Sequence, residues 1–230
     1  MNRRQFLCNV SAASVTALNT NAWIYAVTKQ EKSNDSFSQL EGFIVSDAHF
    51  GWVNEQQPDP EEQRRAMANI LERFPSLDVF IDTGDAHHGN LRGRDGDIAR
   101  KNWLDIIANG VGAIPFLYVP GNHEIVGNAE GDQEERCCRL GSLSCRPYYS
   151  FDLKGIHFVS VPEMMRAVYV TKETLEWLAL DLRVHQDKTT IVLSHNHILN
   201  TTGPFEAGYR GVVNSDALLR LFEKNPQVIA

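Results

Sequence analysis

The chain has 230 residues, of which 43% are hydrophobic and 22% are charged, as expected for one globular domain with a sizeable core. Its formal net charge of -7 argues against a general nucleic-acid-binding protein, because such proteins need a basic face. The sequence has no apolar run of about 18 residues, the length that a membrane-spanning helix requires, so it predicts no transmembrane segment.

The N-terminal segment differs in composition from the rest of the chain. Arg3 and Arg4 precede a modestly apolar stretch without acidic residues, and candidate cleavage sites with small residues end at Ala22 and Ala26. This order of charge, apolar segment and small residues is typical of an export signal. Residues 2–7 also resemble a bacterial twin-arginine signal.

We therefore expect a twin-arginine signal peptide over residues 1–26, a polar linker over residues 27–40 and one domain over residues 41–230. A protein with this organisation would be periplasmic or secreted. The alternative is a cytoplasmic protein whose N-terminus is a frayed helix with a chance arginine pair.

The first half of the domain alternates strand and helix patterns. Apolar runs predict three buried strands, at residues 43–45, 79–81 and 115–119. A cap at Asp59 followed by proline predicts a helix that stops before Pro75, and an apolar stripe over residues 99–107 predicts another that is closed by Gly110. Consecutive strand–helix units favour a partly parallel sheet.

The second half begins with a long segment, residues 126–147, that has no clear period and is expected to be a loop. In an oxidising compartment its Cys145 would pair with Cys137 or Cys138, and three free thiols are the alternative. Further patterns predict a hairpin at 148–153 and 156–161, a helix capped by Thr171, a strand at 189–193, a helix capped by Ser215 and the start of a strand at Val228.

Side chains that commonly bind metal ions follow four of the predicted strands. They are Asp47, His49, Asp85, Asn122, His123 and His195. Sites in α/β sheets form in loops at the carboxyl ends of strands, so these side chains are expected to meet. Carboxylates and imidazoles suit a pair of hard or borderline cations, and one carboxylate can bridge two ions.

The ordered set D-x-H, G-D, G-N-H-E and a strand-end histidine resembles the signature of the calcineurin-like metallophosphoesterases, from about Phe43 onward. Residues 148–158 are also similar to exported members. The resemblance implies an α/β fold in which a two-sheet β-sandwich is flanked by helices, in four αββα layers. It also implies hydrolysis of a small-molecule phosphomonoester or phosphodiester by a hydroxide that two metal ions activate.

The resemblance assigns a role to each candidate ligand. Asp47 and His49 would hold the first ion and Asp85 would bridge both ions. The second ion would be held by Asn122 and His195. His123 would contact the phosphate or protonate the leaving oxygen. The ions would be divalent or trivalent, and manganese, iron, zinc and magnesium all accept such ligands.

One part of the family pattern is missing. The family's last motif, G-H-x-H, occurs nowhere in the chain, which ends soon after the strand start at Val228. Each metal would lack one ligand, and we expect a truncated record or gene without the last strands. The alternative is a catalytically impaired remnant that acts as a metal-binding or interaction domain.

Several other polar residues are weaker candidates. Substrate contacts are expected from Arg92, Arg94, Tyr209 and Arg210, because arginine binds phosphate through paired hydrogen bonds; solvated surface positions are the alternative. The remaining histidines are expected to be structural or loop residues, although surrogate ligation by His87, His88 or His197 stays open.

Overall fold

The computed structural model describes residues 25–27, 40–51, 59–88, 93–125, 148–162, 168–198 and 211–230. Residues 1–24 of the predicted signal, Arg92, the three cysteines of the 126–147 loop, Tyr209 and Arg210 lie outside these ranges. None of the helices within the described ranges is long and apolar enough to cross a membrane.

Seven strands, five α-helices and one π-helical turn are described. The strands are β1 (Tyr25–Val27), β2 (Gly42–Val45), β3 (Val79–Asp82), β4 (Phe116–Tyr118), β5 (Tyr149–Leu153), β6 (Ile156–Ser160) and β7 (Thr189–Leu193). The helices are α1 (Pro60–Arg73), α2 (Gly93–Trp103), α3 (Asn122–Ile125), α4 (Lys172–Val184) and α5 (Ser215–Lys224).

The strands form two sheets. The first has the order β1-β2-β3-β4, in which β2, β3 and β4 are parallel and β1 pairs antiparallel with β2. The second has the order β5-β6-β7, with an antiparallel hairpin and a parallel β6–β7 pair. Residues 227–230 then pair in parallel with β7, for example through Ile229 N–H to Thr190 O at 3.0 Å. The predicted strand start at Val228 is therefore present.

Three clusters of buried side chains separate four layers. Alternate residues of β3 point to opposite faces, as the two-residue period of a strand requires. Val79 and Ile81 meet Phe158 and Leu193 of the second sheet, whereas Phe80 packs with residues of α1 and α2 on the outer side. A third cluster packs α4 and α5 against the far side of the second sheet. The expected two-sheet sandwich flanked by helices is confirmed.

The local signals for helix starts had mixed outcomes. Asp59 caps α1 in a capping box, accepting from the backbone N–H of Glu62 at 2.8 Å while the Glu62 carboxylate accepts from Asp59 N–H at 3.0 Å. Thr171 caps α4 as predicted. Ser215 does not cap α5: it is the first helical residue, and its hydroxyl donates to Val212 O.

Two further features differ from the sequence expectations. The predicted stripe over residues 99–107 spans both α2 and a π-helical turn, Leu104–Ala108, that follows it directly. Hydrophobic spacing alone does not distinguish this wider turn from an α-helical one. The strand β1 was not predicted, and it lies across the expected signal boundary at Ala26.

Candidate metal centre

The loops after β2 and β3 stay paired beyond the ends of their strands. Asp47 N–H donates to Gly84 O at 2.8 Å, His49 N–H donates to Asp85 O at 2.9 Å, and Phe50 N–H donates to Ala86 O at 3.0 Å. The parallel pairing of β2 with β3 therefore continues into the loops. As a result, main-chain hydrogen bonds fix the positions of three predicted ligands, Asp47, His49 and Asp85.

The backbone at these three ligands is unusual. Asp47, His49 and Asp85 have φ angles of 59°, 44° and 53°, and they are three of the five non-glycine residues with positive φ among the described residues. Residues other than glycine rarely adopt this left-handed backbone conformation, which costs roughly 1–3 kcal/mol per residue. Strain of this kind persists where the surrounding structure enforces it, and it often marks functional sites.

Two glycines allow the loops after β3 and β4 to approach each other closely. A Cβ atom on Gly84, whose φ is +103°, would lie 2.3 Å from Gly121 N. A Cβ atom on Gly121 would lie 2.3 Å from both the backbone nitrogen and Oδ1 of Asp85. Only glycine fits at these two positions, and this contact places Asn122 and His123 beside Asp85.

A buried carboxylate that the sequence analysis did not single out supports the same loop. Asp82, at the end of β3, is fully buried and accepts hydrogen bonds from Gly84 N–H at 2.9 Å and from the Trp103 indole N–H at 2.8 Å. It thereby links the turn that carries Asp85 to α2. The available signal was an acidic residue that ends an otherwise apolar strand.

Three histidine rings converge on one oxygen of Asp85. The distances from Asp85 Oδ2 are 3.5 Å to His195 Nε2, 3.6 Å to His49 Nε2 and 3.8 Å to His123 Nε2. Asp47 Oδ1 is 3.6 Å from the same nitrogen of His49. These separations exceed hydrogen-bond lengths, but two atoms that share an ion at about 2.1 Å each lie roughly 3–3.5 Å apart. The spacing and the donor types therefore fit metal ions.

His195 is held in the orientation that a ligand needs. Its Nδ1 is 2.8 Å from Thr83 O, and because a carbonyl can only accept, Nδ1 carries the proton. The other nitrogen then points toward Asp85 and lies 3.2 Å from Asn122 Oδ1. A histidine oriented through its second nitrogen in this way is a common feature of metal sites. The backbone N–H of His123 donates to Asp85 Oδ1 at 2.7 Å.

The cluster keeps its carboxylates ionised. Burial alone would raise the pKa of Asp85, but the His195 and His123 contacts outweigh it and hold this pKa below its ordinary value. The pKa of Asp47 is lowered in the same way, with His49 and Ser46 opposing the effect of burial. Burial would lower the pKa of His195, yet the Asp85 carboxylate raises it to about 9. The two ionised carboxylates supply the negative charge that bound cations require.

A sequence profile of the calcineurin-like phosphoesterases matches residues 43–230, which is most of the chain. The chain belongs to this family. No curated protein sequence matches it.

Two solved structures are similar in fold to this calcineurin-like phosphoesterase. The purple acid phosphatase PPD1 from yellow lupin (Lupinus luteus) seeds is 16% identical with a TM-score of 0.52, and the match covers 82% of this chain and 39% of that one. GAP50, the anchor in the inner membrane complex of Plasmodium, is 15% identical with a TM-score of 0.52, and the match covers 81% and 63% respectively. The chain spans less than two thirds of either protein.

The six predicted site residues from the strand ends lie together in this family member, as the distances above describe. Among the weaker candidates, Arg94 is exposed at the start of α2 and its role stays a prediction. His88, which the sequence analysis placed in the loop, has its ring centroid 4.9 Å from that of His123 and 5.9 Å from that of His49. Burial lowers its pKa, and the neighbouring His49 lowers it further.

A second cluster of histidine and aspartate lies at the other end of the second sheet. His157 is buried and faces Asp152 Oδ1 at 2.7 Å and Asp181 Oδ2 at 2.8 Å, one carboxylate on each ring nitrogen. The Lys188 ammonium lies 2.5 Å from Asp152, and the ring of His185 stacks on that of His157 with centroids 3.9 Å apart. Burial opposes protonation of His157, but the two carboxylates raise its pKa above the ordinary value.

Proposed function

We propose that this chain hydrolyses phosphoesters with two bound metal ions. The single observation that carries the proposal is the convergence of three imidazole nitrogens on Asp85 Oδ2 at 3.5–3.8 Å. Asp85 would bridge the two ions. The substrate class would be a small-molecule phosphomonoester or phosphodiester, as the family membership of residues 43–230 suggests.

The other ligands would divide between the two ions. Asp47 and His49 would hold the first, and Asn122 and His195 would hold the second, with Thr83 O fixing the His195 ring. When bound, the pair would supply an activated water nucleophile and positive charge to stabilise the phosphoryl oxygens. The donor set of carboxylates and imidazoles accepts manganese, iron, zinc or magnesium.

His123 would act on the substrate rather than on the ions. Its backbone N–H is fixed on Asp85 Oδ1 at 2.7 Å, while its side chain is 15% exposed, against 7% for that of His195. The ring is therefore the more open of the two to an incoming phosphoester. A histidine there would bind a phosphoryl oxygen or protonate the leaving oxygen, because its ordinary pKa lies near neutral pH.

The test is an assay of the full chain on chromogenic phosphomonoesters and phosphodiesters with added manganese. Wild type should turn over one ester class and bind two ions, whereas Asp85→Ala should lose both properties. Asp152→Ala is the matched control, because it removes a carboxylate from the other histidine cluster. Turnover by Asp85→Ala at the wild-type rate would contradict the proposal.

A second candidate is a catalytically impaired metal-binding or interaction domain. It is favoured by a fold neighbour whose name describes an anchor. The same assay separates the two candidates. A wild-type chain that binds metal through Asp85 but hydrolyses no ester would support the second.

We also propose that the protein is exported by the twin-arginine route. The order of Arg3, Arg4, an apolar stretch and small residues supports this location. Cleavage after Ala26 would divide β1, whereas cleavage after Ala22 would leave the strand intact. The intact mass of the protein recovered from the periplasm distinguishes these outcomes, and an unprocessed cytoplasmic chain would contradict export.

A further inference from the structure

His88 is held beside the metal centre by its backbone. Its N–H donates to Phe50 O at 3.0 Å, and Phe50 N–H in turn donates to Ala86 O at 3.0 Å. Phe50 also forms a parallel bridge with His87. The segment that carries His88 is therefore fixed against the segment that carries His49, so the two rings keep a defined relation.

The ring of His88 takes part in a group of potential ligands that overlaps the proposed centre. One ligand atom each from His49, His88 and His123 lie within 4.8 Å of one another, and the same holds for Asp47, His49 and Asp85. His49 belongs to both groups. Ligands on opposite sides of one ion are themselves roughly 4 Å apart, so small side-chain movements would bring His88 onto an ion that His49 holds.

The chemistry of such a ligand is specific. Asp47, His49 and Asp85 offer two carboxylates and one imidazole, and a second imidazole would make the set half nitrogen. Nitrogen ligands favour zinc, iron and cobalt over magnesium and calcium, which prefer oxygen. His88 would thus strengthen binding at one position and bias the choice of ion there.

We propose that His88 is a ligand of the metal ion held by Asp47, His49 and Asp85. The inference rests on the proposed two-metal function and adds to it a residue that increases the ligand number at one of the two positions. His123 remains the group that faces the substrate, because its side chain is 15% exposed, against 8% for that of His49 and 7% for that of His195.

The test uses the full chain loaded with cobalt(II), whose spectra report coordination independently of activity. Affinity is measured by calorimetric titration, bound cobalt by elemental analysis, and ligating imidazoles by the count of solvent-exchangeable, hyperfine-shifted ring N–H resonances in proton NMR. The variants are His88→Phe, which keeps a ring without nitrogen, and His88→Asp, which keeps a ligand. His185→Phe is the matched control, because it removes an imidazole from the distant cluster.

His88→Phe should lose one shifted resonance and bind cobalt at least about 10-fold more weakly at one position. Loss of a direct ligand should cost at least as much affinity as loss of an outer-shell partner, which typically costs about 10–100-fold. His88→Asp should regain affinity but not the resonance, and His185→Phe should match wild type. If His88→Phe does not fold, His88→Gln takes its place. Unchanged affinity and resonance count in the His88 variant would overturn the inference, and this is also the result expected if His88 binds phosphate instead of the metal ion.

Asp85→Asn separates this inference from the function on which it rests. If Asp85→Asn weakens cobalt binding and the His88 variant does not, only the role of His88 is wrong. If neither substitution changes cobalt binding, the proposed two-metal function is wrong as well.

Discussion

The two histidine-and-aspartate clusters of this protein use the same residue types at different spacing. In the cluster around His157, the imidazole nitrogens lie 2.7 and 2.8 Å from carboxylate oxygens. Around Asp85, the corresponding distances are 3.5–3.8 Å. The first set is satisfied by direct hydrogen bonds, whereas the second leaves room for a cation between the groups. Residue type alone does not separate a structural cluster from a metal centre; spacing does.

The backbone makes the same distinction. Asp47, His49 and Asp85 occupy left-handed conformations in loops, and close glycine contacts hold those loops together. His157 instead lies in the regular strand β6, paired with Thr190 of β7. One ligand atom each from Asp152, His157 and His185 also lie within 4.8 Å of one another. Both ring nitrogens of His157, however, are already hydrogen-bonded to carboxylate oxygens, at 2.7 and 2.8 Å. Three of the five described non-glycine residues with positive φ thus lie in the cluster that has a chemical use for such strain.

Breaking the hydrogen-bonded cluster should give the largest loss of stability. Asp181 is 9% exposed and accepts from Ser150 Oγ at 2.8 Å as well as facing His157. Asp181→Ala would leave a buried imidazolium short of one partner, and we expect the free energy of unfolding to fall by about 3–5 kcal/mol. Urea denaturation measures this loss, and metal binding per folded molecule should not change.

The control for that substitution is Asp152→Ala. Its side chain is 45% exposed and accessible to water, so its removal should cost at most about 1 kcal/mol. Equal losses in the two variants would show that burial does not set the strength of this cluster.

Overpacking the metal centre should have a large but different effect. In Gly121→Ala the new methyl group would lie 2.3 Å from Asp85 N and Oδ1, so the loop must move. We expect a stability loss of about 1–3 kcal/mol together with loss of metal binding, because the shift displaces the bridging carboxylate. Gly155→Ala is the matched control: its φ of +80° is strained, but nothing lies within 4 Å of the added atom. Normal metal binding by Gly121→Ala would contradict the role of the close contact.

A smaller effect should follow from changing the support of the Asp85 turn. Each carboxylate oxygen of Asp82 accepts from one donor, Gly84 N–H or the Trp103 indole N–H. Asp82→Asn replaces one of these oxygens by an NH₂ group, so that two donors face each other. Metal affinity should fall about 10–100-fold, as outer-shell substitutions usually cause. Calorimetric titration with manganese measures this loss of affinity. Trp103→Phe, which removes only the indole donor, should cause a smaller loss. A Trp103→Phe variant that loses more affinity than Asp82→Asn would refute this order.

The smallest effect concerns pH. Asp152, Asp181, His185 and Lys188 surround His157, whose pKa in the folded protein is raised above the ordinary 6.5. The stability that protonated His157 adds is complete below about pH 6.5 and is lost as the pH rises through the folded pKa. The pKa of Asp152 is lowered, so its own contribution is lost only in acid, below about pH 4.

Urea denaturation of wild type and His157→Gln between pH 5 and 9 checks this sign. The difference in unfolding free energy between the two proteins should shrink at high pH, by at most about 1.4 kcal/mol per pH unit for one group. A difference that grows with pH would mean that His157 is held neutral.

Local sequence signals predicted much of the fold. The Asp59 capping box and the Thr171 cap start α1 and α4 because a side-chain oxygen next to free backbone N–H groups needs no tertiary partner. The apolar run at Val79–Asp82 became a strand buried on both faces. Ser215 failed as a cap, since its hydroxyl found Val212 O instead. The pattern of apolar residues also did not indicate the π-helical turn after Trp103.

The sequence by itself determined which side chains reach the site, because ligands that follow parallel strands must emerge at one edge of the sheet. Only the tertiary structure decided how they meet. The main-chain pairing of the 47–50 and 85–88 segments turned Asp47, His49 and Asp85 into left-handed conformations and placed His88 beside them. The packing of α2 on the first sheet also buried Asp82, whose carboxylate accepts a hydrogen bond from the Trp103 indole N–H. Such contacts join residues far apart in the chain, and their distances depend on how whole layers pack, which no local spacing in the sequence encodes.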